Sequence, residues 1–124
     1  VQNISLNGVK VLLVEDNDLN AELAVTLLED AGMCVTRAVD GEDAVKLFAS
    51  NPAGTYDIIL MDIMMPKMNG DEAAKCIRKI NPSIPIVAMS AQSEYSIDQT
   101  IMNDSISKPI DEQKLNHILS KYVA

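Results

Sequence analysis

The sequence predicts an α/β domain in which a parallel β-sheet is covered by helices on both faces. Short apolar runs alternate five times with amphipathic stretches, and the connections between them are short. Strands that alternate with helices in this way form parallel sheets through right-handed crossovers. The 124 residues suit one domain, and apolar residues make up 48% of the chain while aromatic residues make up only 3%. We therefore expect one domain with an aliphatic core.

Each element is predicted from its apolar pattern and from the residues at its ends. Strands are expected where short apolar runs lie between turn-forming residues, and helices where apolar residues recur with the helical period. The expected strands are residues 9–14, 33–38, 57–61, 84–89 and 104–107, and the expected helices are residues 18–31, 41–50, 70–80, 94–101 and 111–122. Residues 1–8 are expected to form a lead-in segment, and residues 9–124 to form the domain.

The first helix illustrates how faces and ends are predicted. Its buried face should consist of Leu19, Leu23 and Leu27, flanked by Ala24, Leu28 and Ala31. Gly32 should end this helix, because glycine is common just beyond the last helical turn. The expected caps or first-turn acids of three helices are Asp18, Asp40 and Asp111.

The charge of the chain argues against two classes of partner. The formal net charge is −8 at pH 7, whereas contacts with nucleic acid need clustered Lys and Arg. The same charge disfavours an anionic membrane surface, and no apolar stretch approaches the ~20 residues of a membrane-spanning helix. We therefore expect a cytoplasmic domain that neither binds nucleic acid directly nor inserts into a membrane.

Polar residues follow four of the five predicted strands at the point where each strand ends. Glu15 and Asp16 follow the first strand, Asp62 closes the third, Ser90 follows the fourth and Lys108 follows the fifth. Each residue alone could be a turn former, a helix cap or a solvated side chain. Because the carboxyl ends of parallel strands share one edge of a sheet, we expect these side chains to converge.

A cluster of this kind favours phosphoryl chemistry over a purely structural role. Carboxylates held ~4 Å apart repel each other by about 4 kcal/mol at an effective dielectric constant near 20, so stability alone does not explain their assembly. A divalent cation does, and oxygen ligands of this type suit Mg²⁺. The predicted chemistry is attack by a carboxylate to form an acyl phosphate, with metal and lysine neutralising the transferring group.

Four segments carry a resemblance to a known family. Residues 11–17, 62–70, 88–91 and 107–109 read VLLVEDN, DIMMPKMNG, AMSA and SKP. In these segments the chain resembles the response-regulator receiver domains of two-component signalling, most of all those attached to hybrid sensor histidine kinases. The resemblance implies a flavodoxin-like (βα)5 three-layer sandwich, with a parallel five-stranded sheet in the order 2-1-3-4-5.

The resemblance also assigns roles to the residues at the strand ends. It implies that Asp62 is the phosphoacceptor and that Ser90 and Lys108 contact the phosphoryl oxygens. It further implies that Mg²⁺, with Mn²⁺ as an alternative ion, is bound by Asp16, Asp62 and the backbone carbonyl of Met64, with Glu15 acting through metal-bound water. The peptide between Lys108 and Pro109 should be cis. The phosphoryl donor should be a histidine kinase or a histidine phosphotransfer domain, because the chain's only histidine, His117, is expected on the solvent side of the last helix.

The chain departs from the family pattern in the region that normally transmits the phosphorylated state. Receivers usually carry Tyr or Phe three residues before the lysine, whereas this chain has Ser105. The stretch from Ser90 to Lys108 is also about one helical turn shorter than the family pattern, so we expect a shortened fourth helix. Tyr95 lies in this stretch, and nothing in the sequence indicates that it replaces the missing ring. We expect a phosphoryl acceptor or relay rather than a dimerising switch.

Two other functions share part of this pattern. A small Mg²⁺-dependent phosphohydrolase of the haloacid dehalogenase type also forms an aspartyl phosphate, but it needs a second Asp at the place of Met64. A flavodoxin-type cofactor binder needs a phosphate-binding loop where this chain has the acidic pair Glu15 and Asp16. We therefore expect a domain that catalyses its own phosphorylation and dephosphorylation and is not a turnover enzyme.

Overall fold

Strands and helices alternate along the chain as the sequence predicts, except that no helix is described between the last two strands. The computed structural model describes residues 7–52, 54–63, 65, 68–90, 97–108 and 110–123. In chain order the elements are β1 Lys10–Val14, α1 Asp18–Asp30, β2 Cys34–Ala38, α2 Gly41–Ser50, β3 Ile58–Asp62, α3 Gly70–Ile80, β4 Ile86–Ser90, β5 Asp104–Ser107 and α4 Glu112–Val123. Residues 1–6 of the expected lead-in lie outside the described residues, and the domain boundary at residue 9 stays a prediction.

The five strands form one parallel sheet in the order β2-β1-β3-β4-β5. This order is the one that the family resemblance implies. Strand β3 lies in the middle and all five of its residues are buried, which explains why its sequence is a continuous apolar run rather than an alternating one. Asp62 is its last residue, so the central strand carries this carboxylate to the carboxyl edge of the sheet.

The helices pack on both faces of the sheet and create two separate cores. Alternate residues of a strand point to opposite faces, and Leu12 and Val14 accordingly lie in the core under α2 and α3, whereas Val11 and Leu13 lie in the core under α1 and α4. The predicted three-layer sandwich is confirmed. No helix in the described part of the chain is long and apolar enough to cross a membrane.

Polar side chains cap the N-terminal ends of the helices at the carboxyl edge of the sheet. The side chains of Asn17, Asp40 and Asn69 each accept a hydrogen bond from a backbone N–H in the first turn of α1, α2 and α3. Asp111 does the same for α4, because its Oδ1 accepts from the Lys114 N–H at 2.8 Å. Such caps satisfy N–H groups that have no partner within the helix. In α1 the cap is Asn17 and not Asp18, which occupies the first turn.

The predicted buried face of α1 is partly wrong. Leu19 and Leu23 are 65% and 59% exposed, whereas Ala21, Ala24 and Leu28 are buried. Residues spaced by four drift around a helix by about 40° per step, because a turn contains about 3.6 residues. A row of three such residues therefore does not stay on one narrow face. The small Ala21 and Ala24 face the sheet instead, and two leucines remain on the surface.

The predicted helix over residues 94–101 is not formed in the part that the structure describes. Residues 97–101 contain a turn, in which the carbonyl oxygen of Asp98 accepts from the N–H groups of Ile101 and Met102, both at 2.9 Å. The Asp98 side chain also accepts from the Thr100 N–H at 3.0 Å, and this local bond competes with a helix. Residues 94–96, including Tyr95, lie outside the described residues.

Candidate functional site

The carboxyl edge of the sheet gathers the side chains that the sequence singles out. Carboxylate oxygens of Glu15, Asp16 and Asp62 all lie within 4.8 Å of one another. The ammonium of Lys108 lies 3.0 Å from Glu15 Oε2 and 3.2 Å from Asp62 Oδ1. The predicted convergence of these four residues from β1, β3 and the end of β5 is therefore confirmed.

Ser90 lies at the same edge of the sheet, on the strand next to the one that carries Asp62. It is the last residue of β4, which pairs with β3, and it is 5% exposed. Its carbonyl oxygen accepts from the Lys108 N–H at 2.8 Å, so the backbone joins the hydroxyl-bearing strand to the lysine. The backbone carbonyl of Met64 and the peptide between Lys108 and Pro109 lie outside the described residues, and their predicted roles stay predictions.

Two of the three carboxylates are buried, and burial changes the acidity of Asp62. Glu15 and Asp62 are each 3% exposed. Burial, followed by the negative charge of Glu15, raises the pKa of Asp62 from 3.8 to about 6, although Lys108 opposes this rise. Burial alone would lower the pKa of Lys108, but its hydrogen bond to Glu15 and the charges of both carboxylates outweigh burial and raise it. The lysine therefore stays charged, while negative charge remains in excess.

The donor set fits a divalent cation that prefers oxygen. Three carboxylates supply hard oxygen ligands, which suit Mg²⁺. Asp16 is more open to solvent than the two buried carboxylates, which suits Mg²⁺ because this ion usually keeps several waters. Among the described residues, Lys108 is the one ammonium in contact with these carboxylates and does not balance the three of them, so a bound cation would relieve their repulsion.

The backbone of Asp62 is held by the start of the next helix. The Gly70 N–H donates to the carbonyl oxygen of Ile63 at 3.1 Å. A Cβ atom at position 70 would collide with the carbonyl oxygen of Asp62 and with the Cα atom of Ile63. Only glycine permits this close approach, which presses the first turn of α3 against the chain that carries the central carboxylate.

A basic residue that the sequence did not single out also contacts the site. Arg37 lies near the end of the edge strand β2, and its Nε and Nη2 atoms lie 3.1 and 2.9 Å from the carbonyl oxygen of Glu15. Its Nη1 atom lies 2.9 Å from Asp18 Oδ1. The sequence offered one sign of this role, which is an arginine near the carboxyl end of a predicted strand. It did not reveal the partners of Arg37, because Glu15 and Asp18 lie far from it along the chain.

An apolar surface lies beside the charged cluster. The exposed Leu23 of α1 lines a cavity together with the half-buried Leu27 and Ile110, and the exposed Leu19 lies about one turn earlier on the same helix. This cavity of about 330 Å³ is lined by Glu15, Asn20, Leu23, Ala24, Leu27, Lys108 and Ile110. The cavity thus connects the surface of α1 with two residues of the charged cluster.

Comparison with known proteins identifies relatives of one family. The sequence model of the family described as response regulator receiver domain matches residues 11–120 of the chain. The chain is 33% identical over 126 residues to the autoinducer 1 sensor kinase/phosphatase LuxN of Vibrio harveyi, covering 98% of this chain but only 14% of that protein. It is 39% identical over 120 residues to the two-component response regulator ORR41 of rice, covering 92% of this chain and 94% of that protein.

A solved structure shows the same architecture. The receiver domain of the sensor histidine kinase PA1611 from Pseudomonas aeruginosa, which has a magnesium ion coordinated in its active site cleft, aligns with a TM-score of 0.84. The two sequences are 33% identical, and the alignment covers 93% of this chain and 97% of that one. The family model spans most of the chain, and the fold and the relatives agree with it. The chain therefore belongs to the response regulator receiver domain family.

Proposed function

We propose that the domain accepts a phosphoryl group from a partner's phosphohistidine onto Asp62, with Mg²⁺ bound among the adjacent carboxylates. The observation that carries this proposal is the setting of Asp62. Its carboxylate is buried at the end of the central strand, 3.2 Å from the Lys108 ammonium and clustered with Glu15 and Asp16. A nucleophile needs such a setting when charge must be neutralised during phosphoryl transfer.

The residues of the chain have distinct tasks in this reaction. An oxygen of Asp62 forms a bond to phosphorus while the bond between phosphorus and the imidazole nitrogen of the donor breaks, and its electron pair stays on that nitrogen. Lys108 moves from its carboxylate partners toward the incoming phosphoryl oxygens and offsets their charge. The buried hydroxyl of Ser90, at the end of the adjacent strand, donates to the same group.

Metal binding belongs to the same proposal. Asp16 and Asp62 would hold Mg²⁺, with Mn²⁺ as an alternative ion, and Glu15 would act through metal-bound water. The backbone carbonyl of Met64, outside the described residues, would complete the protein ligands. When bound, the cation supplies positive charge that offsets the carboxylates and the transferring group. The close cluster of three carboxylate oxygen donors supports this assignment.

The donor histidine belongs to a histidine kinase or a histidine phosphotransfer domain. The chain's only histidine, His117, is exposed on α4, and the apolar surface of α1 beside the charged cluster gives a partner helix a place to pack. The similarity to the sensor kinase/phosphatase LuxN, of which this chain spans 14%, supports a parent that is a hybrid histidine kinase. We place the receiver domain of such a parent in the cytoplasm. The phosphohydrolase alternative receives no support from the family or from the relatives.

Phosphorylation by acetyl phosphate with Mg²⁺ tests the role of Asp62. Intact-mass measurement should show the addition of one phosphoryl group that is labile to hydroxylamine, as an acyl phosphate is. Asp62→Asn should abolish the addition, because a carboxamide is a poor nucleophile. Asp57→Asn is a matched control, since Asp57 is an exposed carboxylate at the opposite end of the same strand, and it should be phosphorylated like the wild type. Full phosphorylation of Asp62→Asn would exclude Asp62 as the acceptor.

A further inference from the structure

Arg37 holds the main chain between two residues of the acidic cluster. Its guanidinium donates twice to the carbonyl oxygen of Glu15, from Nε at 3.1 Å and from Nη2 at 2.9 Å. The Glu15 N–H donates to the carbonyl oxygen of Ala38 at 3.1 Å. Both main-chain groups of Glu15 are therefore bound to the region at the end of β2, one through its backbone and one through a side chain.

This arrangement determines the orientation of the peptide that leads to Asp16. The carbonyl oxygen of Glu15 and the N–H of Asp16 belong to one planar peptide group. When Arg37 holds the oxygen, it also restricts the rotation that would swing the Cα atom of Asp16. The strand ladder ends at Val14, so the guanidinium supplies order just where regular pairing stops.

The charge of Arg37 is balanced by a partner outside the acidic cluster. Its Nη1 atom lies 2.9 Å from Asp18 Oδ1, and the Asp18 side chain is 93% exposed. An exposed pair of this kind contributes little to folding stability. It does neutralise a guanidinium that would otherwise repel a cation bound nearby. Arg37 can thus orient the loop without opposing a metal ion.

We propose that Arg37 is a positioning residue for Mg²⁺ binding, because it orients the peptide between Glu15 and Asp16 so that the Asp16 carboxylate faces the other two. This inference rests on the metal role proposed above for Glu15, Asp16 and Asp62. Arg37 does not touch the cation or the phosphoryl group, and it acts through the backbone of the loop between β1 and α1.

The substitution Arg37→Met tests this proposal, because it removes the guanidinium and keeps the apolar part of the side chain. Arg37→Met should weaken Mg²⁺ binding, measured by isothermal titration calorimetry, by about tenfold, the size of effect seen when the partners of metal ligands are removed. The rate of phosphorylation by acetyl phosphate should fall at low Mg²⁺ and return close to the wild-type rate at saturating Mg²⁺. Arg37→Lys should be intermediate, because an ammonium does not reproduce the fork of N–H donors.

Two controls separate orientation of the loop from general packing. Thr36→Ala changes an exposed neighbour on the same strand and should leave Mg²⁺ binding unchanged. Asp18→Asn keeps the bonds from Arg37 to Glu15 but leaves the guanidinium charge without its acidic partner. This variant should weaken Mg²⁺ binding less than Arg37→Met, and added salt should reduce its effect.

The outcomes distinguish this inference from the proposed function. If the wild type binds no Mg²⁺, both the metal role and the role of Arg37 are wrong. If the wild type binds Mg²⁺ and Arg37→Met binds it equally well, only the role of Arg37 is wrong. A lower melting temperature of Arg37→Met with an unchanged Mg²⁺ affinity would likewise assign Arg37 to packing and overturn the inference.

Discussion

Two cationic side chains lie at opposite edges of the sheet, and their partners differ in kind. At the carboxyl edge, Lys108 contacts the carboxylates of Glu15 and Asp62 at 3.0 and 3.2 Å. At the amino edge, the acceptors that Arg78 contacts among the described residues are all neutral. The lysine thus lies among the carboxylates to which we assign metal binding and phosphoryl transfer, whereas the acceptors around the arginine do not ionise.

The contacts of Arg78 tie three segments together. Its guanidinium donates to the carbonyl oxygens of Ile101 and Ile84, both with a bond of 2.7 Å, and to Asn103 Oδ1 at 3.1 Å. Burial lowers the pKa of Arg78 below its ordinary value, but a guanidinium remains charged in proteins. These bonds join α3 to the start of β4 and to the residues that precede β5.

The difference shows how one fold separates stability from reactivity. A cation with neutral partners keeps the same bonds at any ordinary pH and in any phosphorylation state. A cation among carboxylates loses or changes partners when a proton, a metal ion or a phosphoryl group arrives. We expect perturbations at the Arg78 edge to change folding and perturbations at the Lys108 edge to change chemistry.

The largest effect on stability should come from Arg78→Met. This change leaves the carbonyl oxygens of Ile84 and Ile101 without their charged donor, and we expect a loss of about 4 kcal/mol in the free energy of unfolding. Chemical denaturation measures the loss, and Arg78→Lys should restore part of it. At a temperature where the variant is folded, Asp62 should still be phosphorylated. A loss below about 1 kcal/mol would show that the arginine does not hold the amino edge together.

The next effect has the opposite sign and depends on pH. Because the pKa of Asp62 is raised from 3.8 to about 6 in the folded protein, the proton binds more tightly to the folded state. As the pH rises from about 4 to about 6 the unfolded state loses this proton first, so the folded state loses stability over that range. Asp62→Asn removes this penalty and should stabilise the metal-free domain at pH 7.5 by up to about 3 kcal/mol. The gain should shrink as the pH falls through 6 toward 4.

Denaturant unfolding in the presence of a chelator measures this effect across the pH range. Asp57→Asn controls for the general loss of one negative charge, because its carboxylate is exposed at the other edge. A stabilisation of Asp62→Asn that stays constant from pH 4 to pH 7.5 would contradict the link to Asp62 ionisation.

A smaller effect should come from metal binding. At a Mg²⁺ concentration about ten times the dissociation constant, the wild type should gain about 1.4 kcal/mol by mass action. Asp16→Ala should abolish this gain, because it removes one of the three clustered carboxylates. Thermal unfolding with and without Mg²⁺ provides the measurement. An equal rise in melting temperature for both proteins would exclude a site that includes Asp16.

The smallest expected effect concerns the response to phosphorylation. Addition of a beryllofluoride phosphate mimic should shift amide resonances mainly in the loops after Asp62 and after Ser90. Residues 101–103 should shift little, because Arg78 binds Ile101 and Asn103 and Ser105 offers no aromatic ring to move inward. The largest shifts at residues 97–107, or dimers that form through that face on phosphorylation, would show that the amino edge is not held as we infer.

The sequence predicts where the polar residues of the candidate site lie, because the signals for their positions are local. Each buried strand is a short apolar run, and the polar residue that follows it, such as Asp62 or Lys108, is read directly from the chain. The strand order came from the family resemblance, since periodicity carries no information about neighbours in a sheet. The prediction that Leu19 and Leu23 are buried was wrong, because α1 packs against the sheet through the small residues Ala21 and Ala24 and leaves these two leucines on the surface.

The contacts of the two arginines were not predictable in the same way. Arg37 reaches Glu15 across 22 positions and Arg78 reaches Ile101 across 23 positions, and in both of these contacts the acceptor is a backbone oxygen. A backbone acceptor has no residue type, so the sequence carries no pattern for such a bond. The predicted helix over 94–101 was wrong in its described part for a different, local reason. The Asp98 side chain accepts from the Thr100 N–H, and this bond competes with helix formation.

The close approach at Gly70 has a consequence for how variants of this domain are interpreted. Any side chain at this position would push against the carbonyl oxygen of Asp62 and so displace the proposed acceptor carboxylate through its own main chain. We therefore expect a substitution of Gly70 to give the phenotype of a missing acceptor, although Asp62, Lys108 and the proposed metal ligands are still encoded. A genetic screen for silent receivers should recover position 70 alongside position 62, and only the structure tells the two kinds of loss apart.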